Sequence, residues 1–230
     1  HAMNADHLLW TLVLLSLGAV LLCLPFWPAW SEWRHPQDPL PMGLNAPDAR
    51  EGAHTPLHLA PGAHFGHLQS DSILLGNGAL APSAPWPALQ RWQPPPAARP
   101  WGLNGWFIPH DLKVPAGHLV PCSLVVRGRL WLEGNCRVQG DIKAQSGLHI
   151  GQACQVQGNV FSEGDIHLDE ASRVSGVVMA EGHLHLSPHV VIGHPRQPVS
   201  VCADVIDVHG PVQVHGALQA RITGQVQAPT

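Results

Sequence analysis

Charge is scarce in this chain. Asp, Glu, Lys and Arg make up 12% of its 230 residues, and Lys113 and Lys143 are the only lysines. With a formal net charge of −4, there is no basic patch for a phosphate backbone, which excludes nucleic acid as a partner. Five cysteines, an odd number without paired spacing, exclude the disulfide framework of a small secreted domain. Apolar residues at i, i+3, i+4 are missing from the C-terminal half, where Gly or Pro interrupts every stretch long enough for a helix. A Gly-rich phosphate loop, a GxSxG elbow and a CxxC pair are also lacking. No catalytic residue and no cofactor is therefore expected from motifs.

What is present is a repeat. Leu130 and Leu132 form an apolar-x-apolar pair that returns 18 residues on at Leu148 and Ile150, then at Ile166 and Leu168, and at Leu184 and Leu186. After a four-residue insertion it reappears at Ile206 and Val208. A second column holds Val138, Val156, Val174, Ile192 and Val214; a third holds Ile142, Val160, Val178 and Leu218. Glycines keep the same beat at Gly128, Gly164 and Gly182, and at Gly140, Gly158 and Gly176. One more unit precedes these, with Leu112, Val114, Val120, Leu124 and Val126 in matching places.

Apolar residues at i and i+2 describe strands with one buried face. Recurring at a fixed period and broken by glycine, they predict an all-β fold: a short three-sided β-helix (a β-solenoid) of about six 18-residue coils over residues 112–222. The periodic glycines are expected to turn the corners by adopting positive φ. Cys136 and Cys154, one period apart, share the inward parity of Val138 and Val156 and read as small core groups. Stacked coils also put a disulfide between them within reach. Such a stack must cover its end coils or pair them with another molecule. The chain after Leu218 remains strand-like and carries no charged cap. A bare end and end-to-end self-assembly follow, through Val214, Leu218, Ile222 and Val226 at one end and Leu112 and Val114 at the other.

Residues 8–27, LLWTLVLLSLGAVLLCLPFW, carry no charge and are long enough to cross a bilayer as a helix. Leu8, Leu14 and Leu21 lie in the apolar run, with Trp10 and Trp27 as interfacial anchors. No Lys or Arg precedes it and no small-x-small site precedes Pro25, so an uncleaved anchor is expected rather than a signal peptide. Residues 1–7 form the tail before it; His1 and Ala2, ahead of Met3, read as an expression remnant. The few flanking charges place the body in the cytoplasm, in keeping with unpaired cysteines. Residues 28–111 read as a Pro- and Trp-rich linker, with a degenerate coil at 57–80 that would cap the N-terminal end of the solenoid. Trp86, Trp92, Trp101 and Trp106 would pack over that end or contact a partner. Residues 223–230 read as a tail.

The segments VQGDIKA, VQGNVFS and VSGVVMA, set within residues 112–220, resemble the bactofilins, polymer-forming cytoskeletal proteins of bacteria. The resemblance covers about half the chain. It implies a right-handed β-helix that assembles end to end without nucleotide and binds the inner face of the bacterial inner membrane. It also implies partners there: the lipid bilayer, further copies of the chain, and cell-envelope or exopolysaccharide machinery. The long Pro/Trp segment and the HPRQ insertion at 194–197 depart from the family pattern, which leaves a capped oligomer or a partner-docking form open.

Two further readings concern chemistry. His149, His167 and His185 are one period apart and outward, with Trp131 before them and Asp207 after. Such a column can share a metal or act as a pH switch, although a solvated ladder is the plainer reading and no closed zinc site is expected. The carboxylates Glu133, Asp141, Glu163, Asp165, Asp169 and Glu170 are read as solubilising. The rival from another class rests on a small or apolar residue at every sixth position, from Leu132 through Val138, Ala144 and Ile150 to Ile192. That also fits a left-handed β-helix acyltransferase, with His194 as its general base.

Overall fold

Each apolar-x-apolar triplet forms a short strand whose outer residues are buried. Ile142–Ala144, Leu148–Ile150 and Ile166–Leu168 all follow this pattern. Each strand pairs in parallel with its counterpart one coil on, so Leu148 faces Ile166 and Ile166 faces Leu184. The computed structural model describes residues 56–79 and 88–227, an all-β chain without helix that winds into a β-solenoid of about nine turns. Three ladders of strands form its three sides. Side one stacks Gly105–Ile108, Ser123–Val126, Ile142–Ala144, Val160–Ser162 and Val178–Ala180. Side two stacks Leu112–Val114, Leu130–Leu132, Leu148–Ile150, Ile166–Leu168 and His183–Leu186. Side three stacks Gln90–Arg91, His118–Val120, Arg137–Val138, Gln155–Val156, Arg173–Val174 and Val191–Ile192. Two long strands, Val199–His209 and Val212–Gln227, continue the stack around the corners.

The core is continuous, and Cys136 and Cys154 lie wholly within it. Both are free thiols, as are Cys122 and Cys202 among the described residues. The side-chain hydrogen bond that Cys154 shares with Cys136, followed by burial, pushes its thiol up from its ordinary value, as befits a structural core group.

Neither end is bare. His64–Leu75 lies antiparallel along Val212–Gln227, and Leu57–Leu59 adds in parallel to Ile73–Leu75. The segment expected to cap the N-terminal end of the solenoid thus covers the C-terminal end. Phe65, Ile73 and Leu75 are buried there. The Phe65 ring lies over Gly224, where any side chain would run into it. Val226 exchanges backbone hydrogen bonds with Gly62 and Ala63, so residues 223–227 belong to the last coil rather than to a tail. At the other end, the stretch expected to be linker folds back as Arg99–Pro100 paired with Gly105–Ile108. Trp92 is buried, and Ala98 and Trp106 pack on the core, while Trp101 stays exposed. The solenoid therefore runs beyond the six coils expected, because sequences too irregular to show the repeat still pair with it.

The corners also differ from expectation. Positive φ falls on Gly117, Asn135, Ala153, Ala171 and His189, one period apart, between sides two and three. The periodic glycines serve close stacking instead. A Cβ at Gly158 would lie 2.5 Å from the carbonyl oxygen of Gly140, and one at Gly176 2.5 Å from that of Gly158. Residues 1–55, with Leu8, Trp10, Leu14, Leu21 and Trp27, lie outside the described residues, as does Trp86. Among the described residues no helix is long and apolar enough to cross a membrane.

Candidate functional site

Parallel register carries the middle residue of every triplet onto an outward column. On side two that column is Lys113, Trp131, His149, His167, His185, Asp207 and Gln225. The sequence-predicted histidines are therefore brought together, and the insertion is absorbed so that Asp207 continues their line. His167 and His185 stack at 4.4 Å between ring centroids and 8° between planes, whereas His149 meets His167 edge-on at 6.1 Å. His149 turns aside because its Nε2 lies 2.7 Å from Asp169 Oδ2. Beside the column runs an open groove of about 440 Å³, lined by Arg129, Trp131, His149, Asp165, His167 and Asp169 among others.

Burial pushes the His167 imidazole below its ordinary value, and the neighbouring His185 and His149 add to the push; Asp165 and Asp169 oppose it. A depressed histidine binds its proton less readily when folded than when unfolded. Stability from this group is thus intact above the unfolded value and falls as the pH drops through the window below it. Acidification from pH 7 to 5 is expected to lower the Tm, and His167→Gln should flatten that dependence. A thermal-melt series over pH checks it; an unchanged slope in the variant would assign the dependence to other groups.

The carboxylates do structural work that sequence reading did not assign to them. Asp141 Oδ1 accepts the backbone N–H of Asn159 at 2.7 Å, and Asn159 Oδ1 accepts that of Val177 at 2.9 Å. Asp111 and Asp165 accept the N–H groups of Arg129 and His183 in the same way, one coil on. These side chains satisfy backbone donors at corners where the ladder is interrupted. Lys113 holds the Glu133 carboxyl below the usual range through a 2.6 Å ion pair, helped by the N–H of Ala116. His194 sits exposed in a tight hairpin closed by mutual hydrogen bonds with Gln197, its Nδ1 accepting the N–H of Arg196.

Of the residues expected to drive assembly, Leu112, Val114, Val214, Leu218 and Val226 are buried in the core; Ile222 alone is exposed, at 73%. At the C-terminal end the chain's own His64–Leu75 lies along Val214 and Leu218, while Leu112–Val114 pairs with Leu130–Leu132.

A different surface was missed. The outward column of side one reads Phe107, Val125, Lys143, Phe161, Met179 and Cys202. Trp101 lies 6.0 Å from Phe107, and Met179 is 44% exposed. The signal was available in the middle letters of LVV, VFS and VMA, which are apolar on either side of Lys143 in IKA, where those of side two run Lys, Trp and His. No family model matches the chain, and neither a curated protein nor a solved structure is significantly similar to it.

Proposed function

We propose that the chain is a membrane-anchored, bactofilin-like scaffold that self-associates and presents the flanks of its solenoid to envelope or exopolysaccharide machinery. The right-handed winding, the anchor at residues 8–27 and a cytoplasmic inner-membrane setting belong to this reading. One observation carries it: the outward column of side one, where Phe107, Val125, Phe161 and Met179 line up on either side of Lys143. Apolar residues aligned on a rigid flank favour contact with another protein surface. With the last coil covered by the chain's own strand, that flank takes over the association first expected of Leu218 and its neighbours. Met179 and Phe161 are the contacts of choice.

The test is negative-stain microscopy of the full chain in lipid nanodiscs, with chelator and without nucleotide. Rods or ordered clusters of uniform width are expected, and Phe161→Asp with Met179→Asp should disperse them at unchanged far-UV circular dichroism. Single particles at every concentration would refute self-association. Discrete trimers with clefts between subunits would instead support the acyltransferase, with His194 as the residue to replace next.

A further inference from the structure

Where side two meets the insertion, His183 joins two members of the outward column, His185 and Asp207, so that three potential ligands converge. His183 and His185 flank the buried Leu184 on one strand, so both imidazoles leave the same face of the sheet. Their rings are 5.9 Å apart and nearly parallel, at 14°. Asp207 pairs with His185 in the next coil. The nitrogen and oxygen ligand atoms of His183, His185 and Asp207 all lie within 4.8 Å of one another.

Asp207 supplies the second, independent observation. It is only 8% exposed, yet its carboxylate meets the neutral amide of Gln225 at 2.7 Å and His185 Nδ1 at 3.6 Å, beyond a hydrogen bond. A carboxylate this buried calls for a cation. Gln225 fixes Oδ1 and leaves Oδ2 toward His185, which is how an outer partner orients a metal-binding carboxylate. His183 is held in turn, its backbone N–H donating to Asp165 Oδ1 at 2.8 Å. His149 offers no comparable cluster, since its Nε2 is engaged with Asp169.

We propose that His183, His185 and Asp207 form a binding site for a divalent transition metal of the zinc class. Two imidazoles and one carboxylate suit Zn²⁺, Co²⁺ or Ni²⁺, whereas Ca²⁺ and Mg²⁺ prefer oxygen alone. Ligands about 2.0–2.2 Å from zinc sit roughly 3.3 Å apart in a tetrahedral shell. Closing from the observed separations takes rotation of the exposed His183 ring, and water completes the coordination. The inference does not depend on the scaffold reading.

The experiment uses the full chain in detergent micelles, stripped with chelator and titrated with Zn²⁺ by calorimetry and with Co²⁺ by visible absorption. One equivalent is expected to bind, with a Co²⁺ spectrum of a tetrahedral or five-coordinate site. His183→Ala and Asp207→Asn should each weaken binding at least tenfold, and Gln225→Leu by about 10–100-fold. His149→Ala should leave it unchanged. Zn²⁺ should raise the Tm of the wild type and not that of His183→Ala. Should Asp207→Asn not fold, the exposed His183 carries the test. Wild type binding no more tightly than His183→Ala would overturn the proposal, as would loss of the site in His149→Ala, which would move the metal up the column.

Discussion

Deleting residues 56–79 is expected to lower the melting temperature by about 10–30 °C and to turn ordered assemblies into irregular aggregates. The segment buries Phe65, Ile73 and Leu75 against the last coil, and fully burying such a side chain is worth about 1.5–3 kcal/mol. Three of them give roughly 5–9 kcal/mol, a large part of the 5–15 kcal/mol that holds a typical domain together. For a chain of this size each kcal/mol moves the midpoint by about 2–4 °C. The deletion also strips the antiparallel partner from Val212–Gln227, leaving its N–H and C=O groups open to another chain. Because a solenoid is stabilised coil by coil, loss should begin at the C-terminal end, and coils around Leu148 should melt last. Sedimentation velocity with hydrogen exchange would show this order. A variant that sediments like the wild type and melts within 2 °C of it would mean that the cap is a passenger on a self-sufficient stack. The milder Ile73→Asp should act in the same direction, since it places a charge where the native side chain is fully buried.

The solenoid was legible because its core is a lattice. Leu130, Leu148, Ile166 and Leu184 face one another at every coil, so burial imposes the same residue class at the same period. The covering segments were legible only in part: residues 57–80 read as a cap, but for the opposite end, and the reason is geometric. Leu57, Leu59 and Phe65 echo the spacing of Leu130, Leu132 and Val138. His64–Leu75 nevertheless runs antiparallel to the strand it covers, with irregularities at Phe65/His67 and Ser70/Ile73, so that echo did not reveal its true partner. Nor does sequence order say which end a segment of residues 57–75 will reach: it crosses to the last coil although the first coil lies nearer in the chain. In the candidate site, the column of His149, His167 and His185 was visible from period alone. His183 was not drawn into it, because a corner residue acquires a place only once Asp207 is brought opposite His185 across the insertion. The HLH triplet at 183–185 was the local signal: i and i+2 on a strand share a face.

Glycine at the corners is where sequence and structure part most clearly, and the two kinds of corner predict substitutions of opposite sign. Gly158→Val should cost about 3–4 kcal/mol and lower the melting temperature by roughly 10 °C. Its Cβ would lie 2.5 Å from the carbonyl oxygen of Gly140 and 2.6 Å from the Asp141 carboxylate that caps Asn159. Backbone stacked on backbone cannot yield without opening the ladder between Ile142 and Val160 on the adjoining side. Ala153→Gly should do the reverse. Ala153 has φ 54°, a left-handed conformation that it shares with Asn135, Ala171 and His189. That conformation costs an L-residue about 1–2 kcal/mol, while glycine gives back about 0.5–1 kcal/mol through the freedom of its unfolded chain. A net gain of about 0.5 kcal/mol remains, and introducing glycine at Ala153 and Ala171 together should roughly double it, because the two sites stack but share no side-chain partner. Chemical denaturation of the variants settles the matter. If Gly158→Val were tolerated and Ala153→Gly destabilising, the periodic glycines would be serving backbone freedom after all. The 18-residue beat would then report turns rather than close packing between coils.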